Sequence, residues 1–343
     1  MKPILILKIG TASITKESGD LDQVAMVDIT RQIASIHDKY NVIIVSSGAV
    51  GNGRNFLSNY QGNIIERKAA AAIGNPLLIN KYTQFFAPYE ICIAQSLCER
   101  QHFTHPSQFQ QLKATFEELW KNGIIPIANE NDVVSNLELK FSDNDELATL
   151  LAVGFGADVM LLGTSVDGVY DQQDRVISFI EQIDESILGL ARAEKTELGL
   201  GGMSTKLTFA RLATKMGIKT VIFNSRKPEA ILKAINGETG TVCKPQQSSS
   251  EERMKWLLSG NLVRGKLQVD HVTCQALREN QGLKLEGVKK IIENFERGEV
   301  FEILNGDQAS FAVARAMISS KEILENLDNK SFEIAPRTEI ILL

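Results

Sequence analysis

A chain of 343 residues is longer than one ordinary hydrophobic core requires and predicts two domains. Hydrophobic residues make up 43 % and charged residues 23 %, which excludes a disordered or fibrous protein. The net charge of −5 excludes a global attraction to nucleic acid or to an anionic membrane, so any anionic ligand must be met by locally gathered lysines.

The first two thirds alternate short apolar runs with amphipathic ones. Strands are predicted at Ile4–Ile9, Val42–Ser46, Ile91–Gln95, Ile124–Asn129, Val159–Gly163 and Thr220–Asn224. They are rich in Ile, Val and Leu, as befits strands covered on both faces in a parallel sheet. Helices are predicted at Leu21–Tyr40, carrying Val24, Val27, Ile33 and Ile36, and at Ser107–Asn122, with Ser107 as cap and Gly123 as stop. Further helices are predicted at Glu146–Val153, at Ser204–Met216 before Gly217, and at Pro228–Asn236 before Gly237. The alternation predicts an α/β three-layer sandwich with a mostly parallel sheet, whose ligands sit beyond the carboxyl ends of the strands. Near residue 245 the texture changes: Lys244 to Ser250 is polar and reads as a linker. Short strand-like runs follow at Gly265–Val269, Gly287–Ile292, Glu299–Leu304 and Ser310–Ala316, predicting a small β-rich domain. The expected division is 1–245, a linker at 246–256, and 257–343.

No apolar run approaches the roughly 20 residues needed to span a bilayer. The opening Met1–Gly10 is too short for an export signal and reads as a strand, which predicts a cytoplasmic protein. Cys92, Cys98, Cys243 and Cys274 form no C-x-x-C pair and read as ordinary thiols. His102 and His105 lie beside Pro106 with no third ligand, so a loop is expected there and no protein-held metal.

Four segments can carry chemistry. Lys8-Ile9-Gly10-Thr11-Ala12-Ser13 follows the first strand, where a tight turn and a positive point charge suit phosphate oxygens. The plainer reading is a strand-end turn, but a lysine inside an apolar strand needs a reason. Ser46 to Gly53, with Ser47, Gly48 and Ala49, is a small-residue loop open to a small polar ligand, or simply a flexible one. Ala128 to Asp132 and Phe141 to Glu146 are dense in Asn and Asp. Helix capping would need one such residue, and Asp143, Asn144 and Asp145 stand in a row. Gly199 to Lys206 enters a helix, where backbone amides favour an anion, and a first-turn lysine is understandable if a phosphate lies before it. The plainer reading makes Ser204 a cap. No G-x-x-x-x-G-K-[ST] loop, dinucleotide fingerprint or protein-kinase signature is present.

Taken in order, KIGTAS at 8–13, SSGAV at 46–50, IANEND at 127–132, SDNDELA at 142–148, GTSVDGVY at 163–170 and GLGGMSTK at 199–206 resemble the amino acid kinase family. They most resemble its branch that phosphorylates the side-chain carboxylate of free glutamate. The segments at 255–256, 265–270, 287–289 and 294–300 resemble a PUA domain.

The resemblance implies the amino acid kinase fold, a carboxylate-accepting phosphotransferase using ATP, and Mg²⁺ held mainly through the nucleotide phosphates. It implies Lys8 and Lys206 as the cations at the transferred phosphoryl group, and Asp145 as their holder. It assigns Ser47, Gly48, Ala49, Asp132 and Asn144 to glutamate. It assigns Lys8, Gly10, Thr164, Ser165, Gly201, Gly202, Met203, Ser204 and Lys206 to ATP. Ser165, Leu200 and the short Asp171–Val176 segment depart from some relatives on the nucleotide side. The resemblance also implies proline biosynthesis, feedback by proline, coupling to glutamyl phosphate reductase, and a dimer or tetramer. The alternatives are a sister kinase of the family acting on another small carboxylate, or RNA binding through the PUA-like domain. The basic residues there, Lys284, Lys289, Lys290 and Arg297, form no aromatic-interleaved stripe, so a nucleic-acid partner is not expected.

Overall fold

The computed structural model describes residues 2–16, 21–104, 106–134, 144–192, 202–248, 263–307, 310–326 and 332–342. The chain divides into two units, Met1–Arg253 and Met254–Leu343. In the first, the strands are β1 (Ile4–Ile9), β2 (Asn41–Ser46), β3 (Ile93–Cys98), β4 (Ile125–Glu130), β5 (Val159–Thr164), β6 (Phe179–Ile180), β7 (Lys219–Asn224) and β8 (Thr241–Cys243). They form one sheet in the order β3-β4-β2-β1-β5-β7-β8-β6. Every pairing in it is parallel except β7 with β8. β1 lies near the centre, and Lys8 stands opposite Val45 of β2 and Leu162 of β5.

The helices are α1 (Thr11–Ile14), α2 (Gln23–Ile36), α3 (Ala49–Arg54), α4 (Ile64–Phe86), α5 (Gln101–Thr104), α6 (Pro106–Lys121), α7 (Asn144–Phe155), α8 (Glu185–Arg192), α9 (Met203–Lys215) and α10 (Ala230–Asn236). Strand side chains alternate between faces. Leu5, Leu7 and Ile9 therefore share the face packed by Met26, Ile29 and Ile33 of α2, Leu78 and Tyr82 of α4, and Ile231 of α10. Lys8 shares the opposite face with Ile6, where α7 and α9 lie. Every residue of α7 from Asp145 to Phe155 is buried. Its far end is gripped by aromatic rings of α6, with Phe116 and Trp120 at 5.2 and 5.7 Å from Phe155 between centroids.

Several local expectations change. The helix expected over Leu21–Tyr40 spans Gln23–Ile36, opened by the Asp22 carboxylate, which accepts from the Val24 and Ala25 amides. Its core stripe is Met26, Ile29, Ile33 and Ile36, while Val24 is 81 % exposed and Val27 half exposed. The third strand starts at Ile93 rather than Ile91 and continues to Cys98. The helix expected at Ser107 begins at Pro106, whose missing N–H is harmless at a first helical position, so Ser107 is internal. Helix α9 is preceded by Gly202 with no side-chain cap, so Ser204 lies within the first turn and is not the cap.

In the second unit, β9 (Val263–Val269) precedes α11 (His271–Arg278), β10 (Leu283–Lys284), β11 (Val288–Glu293), β12 (Val300–Leu304), β13 (Ser310–Arg315), α12 (Ser320–Glu325), β14 (Glu333–Ala335) and β15 (Ile340–Leu342). Five strands form a sheet in the order β11-β9-β12-β13-β15, and β10 pairs with β14. Leu267, Phe301, Ile303 and Ala314 fill its core, with the Phe295 and Phe301 rings stacked at 4.3 Å. The segments Phe141–Asp143, Gly199–Gly201 and the linker after Ser248 lie outside the described residues. No helix among the described residues is long and apolar enough to cross a membrane.

Candidate active site

The carboxyl ends of β1, β2, β4 and β5 bring the predicted residues to one edge of the sheet. Lys8 is the fifth residue of β1 and is 6 % exposed. Asp145 is the second residue of α7 and is fully buried. Lys206 lies in the opening turns of α9 and is 5 % exposed. One carboxylate oxygen of Asp145 takes Lys8 Nζ at 2.6 Å and the other takes Lys206 Nζ at 2.8 Å. Two lysines from opposite ends of the first unit thus converge on one buried carboxylate.

Burial pushes the Asp145 carboxyl upward, but the charges and hydrogen bonds of Lys8 and Lys206 outweigh it and hold the group below its ordinary value. This trio carries one positive charge in excess. Buried positive charge is costly, and an anion offsets that cost. Gly10 lies beside the trio: a Cβ there would stand 3.6 Å from Lys8 Nζ. The first turn of α9 also presents backbone amides with no side-chain cap.

Beside the trio lies a network of amides. Asn144 Nδ2 donates to Ser47 Oγ at 2.8 Å and to Asn129 Oδ1 at 3.0 Å. Asn129 Nδ2 donates to Asn75 Oδ1 at 3.0 Å. Gly48 takes φ +109°, a left-handed turn that redirects the chain from β2 into α3. Helices α3 and α4 then cross so closely that a Cβ on Gly74 would stand 1.7 Å from the Ala49 carbonyl oxygen. The crossing fixes the Ser47-Gly48-Ala49 loop against α4. Asp132 is half-buried two residues beyond β4.

Glu146, next to Asp145, meets Arg100 at 2.5 Å, both buried. Arg100 comes from the turn after β3, so this pair ties the start of α7 to a second loop. Asn131 Nδ2 donates to Glu99 Oε1 at 2.8 Å in the same turn.

The residues expected on the nucleotide side sit further along the edge. Thr164 ends β5, and its carbonyl accepts from the Ser225 amide at 3.0 Å. The Ser225 hydroxyl donates to Ser13 Oγ at 2.6 Å, joining the loop after β1 to the loop after β7. Arg226 reinforces that joint by donating to the Ala12 and Thr15 carbonyls, each at 2.7 Å. Ser165 is exposed. The short Asp171–Val176 segment is a turn closed by a Tyr170–Val176 bridge, with Asp171 accepting from the Gln173 and Arg175 amides. Gly202 and Met203 are half-buried and Ser204 is exposed; Gly201 lies outside the described residues. Among the described residues no group of three or more His, Cys, Asp or Glu could hold a metal ion.

Lys8, Asp145, Lys206, Asn144 and Ser47 are brought together by the fold; Thr164 and Ser165 have no described contact with the lysines. Sequence reasoning passed over Asn75, Arg100 and Ser225, and gave Ser13 and Glu146, inside segments it singled out, no role of their own. A polar residue before Pro76 in an alanine-rich run was the one available signal for Asn75.

Fold and site together define a phosphotransferase class. The chain belongs to the amino acid kinase family, whose profile matches residues 3–224, and residues 265–335 match the PUA domain. Its relatives include the glutamate 5-kinase of Proteus mirabilis, 37 % identical over 90 % of this chain and 88 % of that one. The glutamate 5-kinase of Dehalococcoides mccartyi is 36 % identical over 87 % of this chain and 84 % of its own. That of Haemophilus influenzae is 33 % identical over 97 % and 94 %. The fold is similar to that of the carbamate kinase from Giardia lamblia bound to AMP-PNP, with TM-score 0.51 and 19 % identity over 71 % of this chain and 99 % of that one.

Proposed function

We propose that the chain catalyses ATP-dependent phosphorylation of the γ-carboxylate of L-glutamate, forming L-glutamyl 5-phosphate and ADP, the first step of proline biosynthesis. Support comes from glutamate 5-kinase relatives that match most of the chain, and above all from one observation: the Lys8 and Lys206 ammonium groups share a single buried carboxylate.

The acceptor carboxylate, with an ordinary pKa of about 4.3, is already ionised at neutral pH, so no general base is needed. One of its oxygens forms a bond to the γ-phosphorus of MgATP. The bond from that phosphorus to the β,γ-bridging oxygen breaks, and the electron pair leaves with ADP. The obstacle is repulsion between anions, and such transfers depend on positioning and charge stabilisation. In this reading Lys8 and Lys206 face the equatorial oxygens of the phosphoryl group in transit, and Asp145 keeps both lysines in place. Ser47, Gly48, Ala49, Asp132 and Asn144 bind glutamate. Gly10, Thr164, Ser165 and residues 201–206 bind the nucleotide. Mg²⁺ enters with ATP and is held mainly by its phosphates and by water.

The catalytic domain is taken as 1–245, with a linker at 246–256 and a PUA domain at 257–343, acting in the cytoplasm. Proline feedback at the acceptor site, hand-over of the labile acyl phosphate to a glutamyl phosphate reductase, and a homodimer or homotetramer complete the proposal. Initial rates indifferent to millimolar proline would remove the first of these. The direct test is full-length protein with MgATP, glutamate and hydroxylamine. The expected product is γ-glutamyl hydroxamate. ADP release with some other small carboxylate, and none with glutamate, would reassign the substrate.

A further inference from the structure

We propose that Asn75, in α4, is a positioning residue for the acceptor site: it anchors a directional chain of hydrogen bonds that commits the Ser47 hydroxyl to donate toward a substrate carboxylate. This deepens the glutamate reading above and rests on it.

The direction is set by a group that cannot flip. The backbone N–H of Glu130 donates to Asn129 Oδ1 at 3.0 Å, which fixes the end of that carboxamide carrying oxygen. The same oxygen accepts from Asn144 Nδ2 at 3.0 Å. The second proton of Asn144 Nδ2 goes to Ser47 Oγ at 2.8 Å, the Ser46 carbonyl oxygen being a more distant acceptor at 3.4 Å. Ser47 Oγ is therefore an acceptor within the protein, and its own proton is left for another oxygen. No described residue takes that proton, and Ser47 is only half-buried. A hydroxyl so arranged suits an anionic oxygen better than an ammonium.

The other end of the chain needs Asn75. With Asn129 Oδ1 fixed, its NH₂ must find an acceptor, and Asn75 Oδ1 supplies one at 3.0 Å. Turned the other way, Asn75 would set two NH₂ groups face to face. Its own Nδ2 is buried with no hydrogen-bond partner, and the residue is only 4 % exposed. A buried donor left unmade is a cost that packing alone does not explain. It is explained if the oxygen of Asn75 is the atom that matters. The placement follows from the backbone: Gly74 touches the Ala49 carbonyl, so the turn of α4 that holds the Ser47-Gly48-Ala49 loop also aims Asn75 at Asn129. The next residue, Pro76, has no N–H to continue the helix ladder at this turn.

The test compares Asn75→Leu, which removes the acceptor, with Asn75→Asp, which keeps an oxygen acceptor in either protonation state. For Asn75→Leu the KM for glutamate is expected to rise about tenfold, the scale of one lost hydrogen bond, with kcat and the KM for ATP within about twofold. Asn75→Asp is expected to restore the glutamate KM. In ¹⁵N spectra the side-chain amide signals of Asn129 and Asn144 should move in Asn75→Leu and stay in Asn75→Asp. Should Asn75→Leu fail to fold, Asn75→Ala removes the same oxygen with less bulk and carries the same expectations. An unchanged glutamate KM, equal damage to all three kinetic constants, or an aspartate variant as impaired as leucine would overturn the proposal. If the wild-type protein makes no hydroxamate, the glutamate reading fails by itself. The amide signals then decide the positioning claim, and unmoved Asn129 and Asn144 signals in Asn75→Leu would end it.

Discussion

Asp145 and Glu146 are neighbours at the start of α7, both buried and both paired with cations, yet the two clusters differ in their charge. Asp145 holds two ammonium groups drawn from β1 and α9, a trio whose own charges sum to a net positive one, beside Gly10. Glu146 joins one carboxylate to the Arg100 guanidinium. A matched buried pair can hold a helix in place, but it offers nothing to an anion. A trio whose own charges sum to a net positive one is costly to bury, and an anion offsets that cost, which suits the proposed phosphoryl site. One turn of helix thus carries a fastening beside the proposed reaction centre, and variants should separate the two roles.

The largest expected effect is on stability. Glu146→Ala leaves the Arg100 guanidinium buried without this partner and should lower the unfolding free energy by about 3–5 kcal/mol, read from denaturant titration. Turnover per folded molecule should stay within about threefold of wild type. Stability close to wild type would mean that the pair does not fasten α7.

Lys8→Ala and Lys206→Ala should behave in the opposite way. Each should lower kcat by about 10²-fold or more, the scale of losing one donor to a developing charge. Each should cost less stability than Glu146→Ala, because Asp145 keeps one ammonium partner. A variant with near-normal turnover would remove that lysine from the mechanism.

Asp132→Ala sharpens the comparison from the substrate side. Its expected effect is a rise of about tenfold in the KM for glutamate with a smaller change in kcat, since binding and not charge stabilisation is lost. Steady-state kinetics with glutamate varied at saturating MgATP checks it.

The smallest effect is a pH dependence that should be missing near neutrality. The folded pKa of Asp145 lies below its ordinary value of about 3.9. The trio's contribution is therefore fully present above that ordinary value and is lost only as pH falls through the lower folded one. The gap in unfolding free energy between wild type and Asp145→Asn should stay flat from about pH 8 to about pH 4 and close below that. A gap that closes near pH 6 would mean that the carboxyl is raised.

The proposed reaction centre was legible because it violates local rules. Lys8 interrupts an apolar strand, and Asn144 with Asp145 exceeds what a helix cap needs, so each stood out without knowledge of its partner. The central strands were legible for the same local reason: apolar runs bounded by turn residues. What escaped depends on partners distant in the chain. Helix α4 buries alanine, glycine and asparagine in its first half, where it meets α3, and shows the spacing of large apolar residues that marks a helix only further on, at Leu78, Tyr82 and Phe86. Arg100 and Glu146 each look like a surface charge until the fold sets them together. Val24 and Val27 fit a helical period, yet they lie on the exposed side because Met26 and Ile29 define the core stripe. Strands β6 and β8, of two and three residues, are too short to carry a pattern.

In the proposed mechanism Lys8 and Lys206 act together on one phosphoryl group in transit. A crystal structure of the full chain with MgADP, aluminium fluoride and glutamate tests it most directly. Both Nζ atoms are expected within hydrogen-bond distance of the fluoride ligands, with a glutamate γ-carboxylate oxygen in line with the leaving oxygen of ADP. A planar fluoride group met by neither lysine, or by only one while the other stays turned to Asp145, would contradict it.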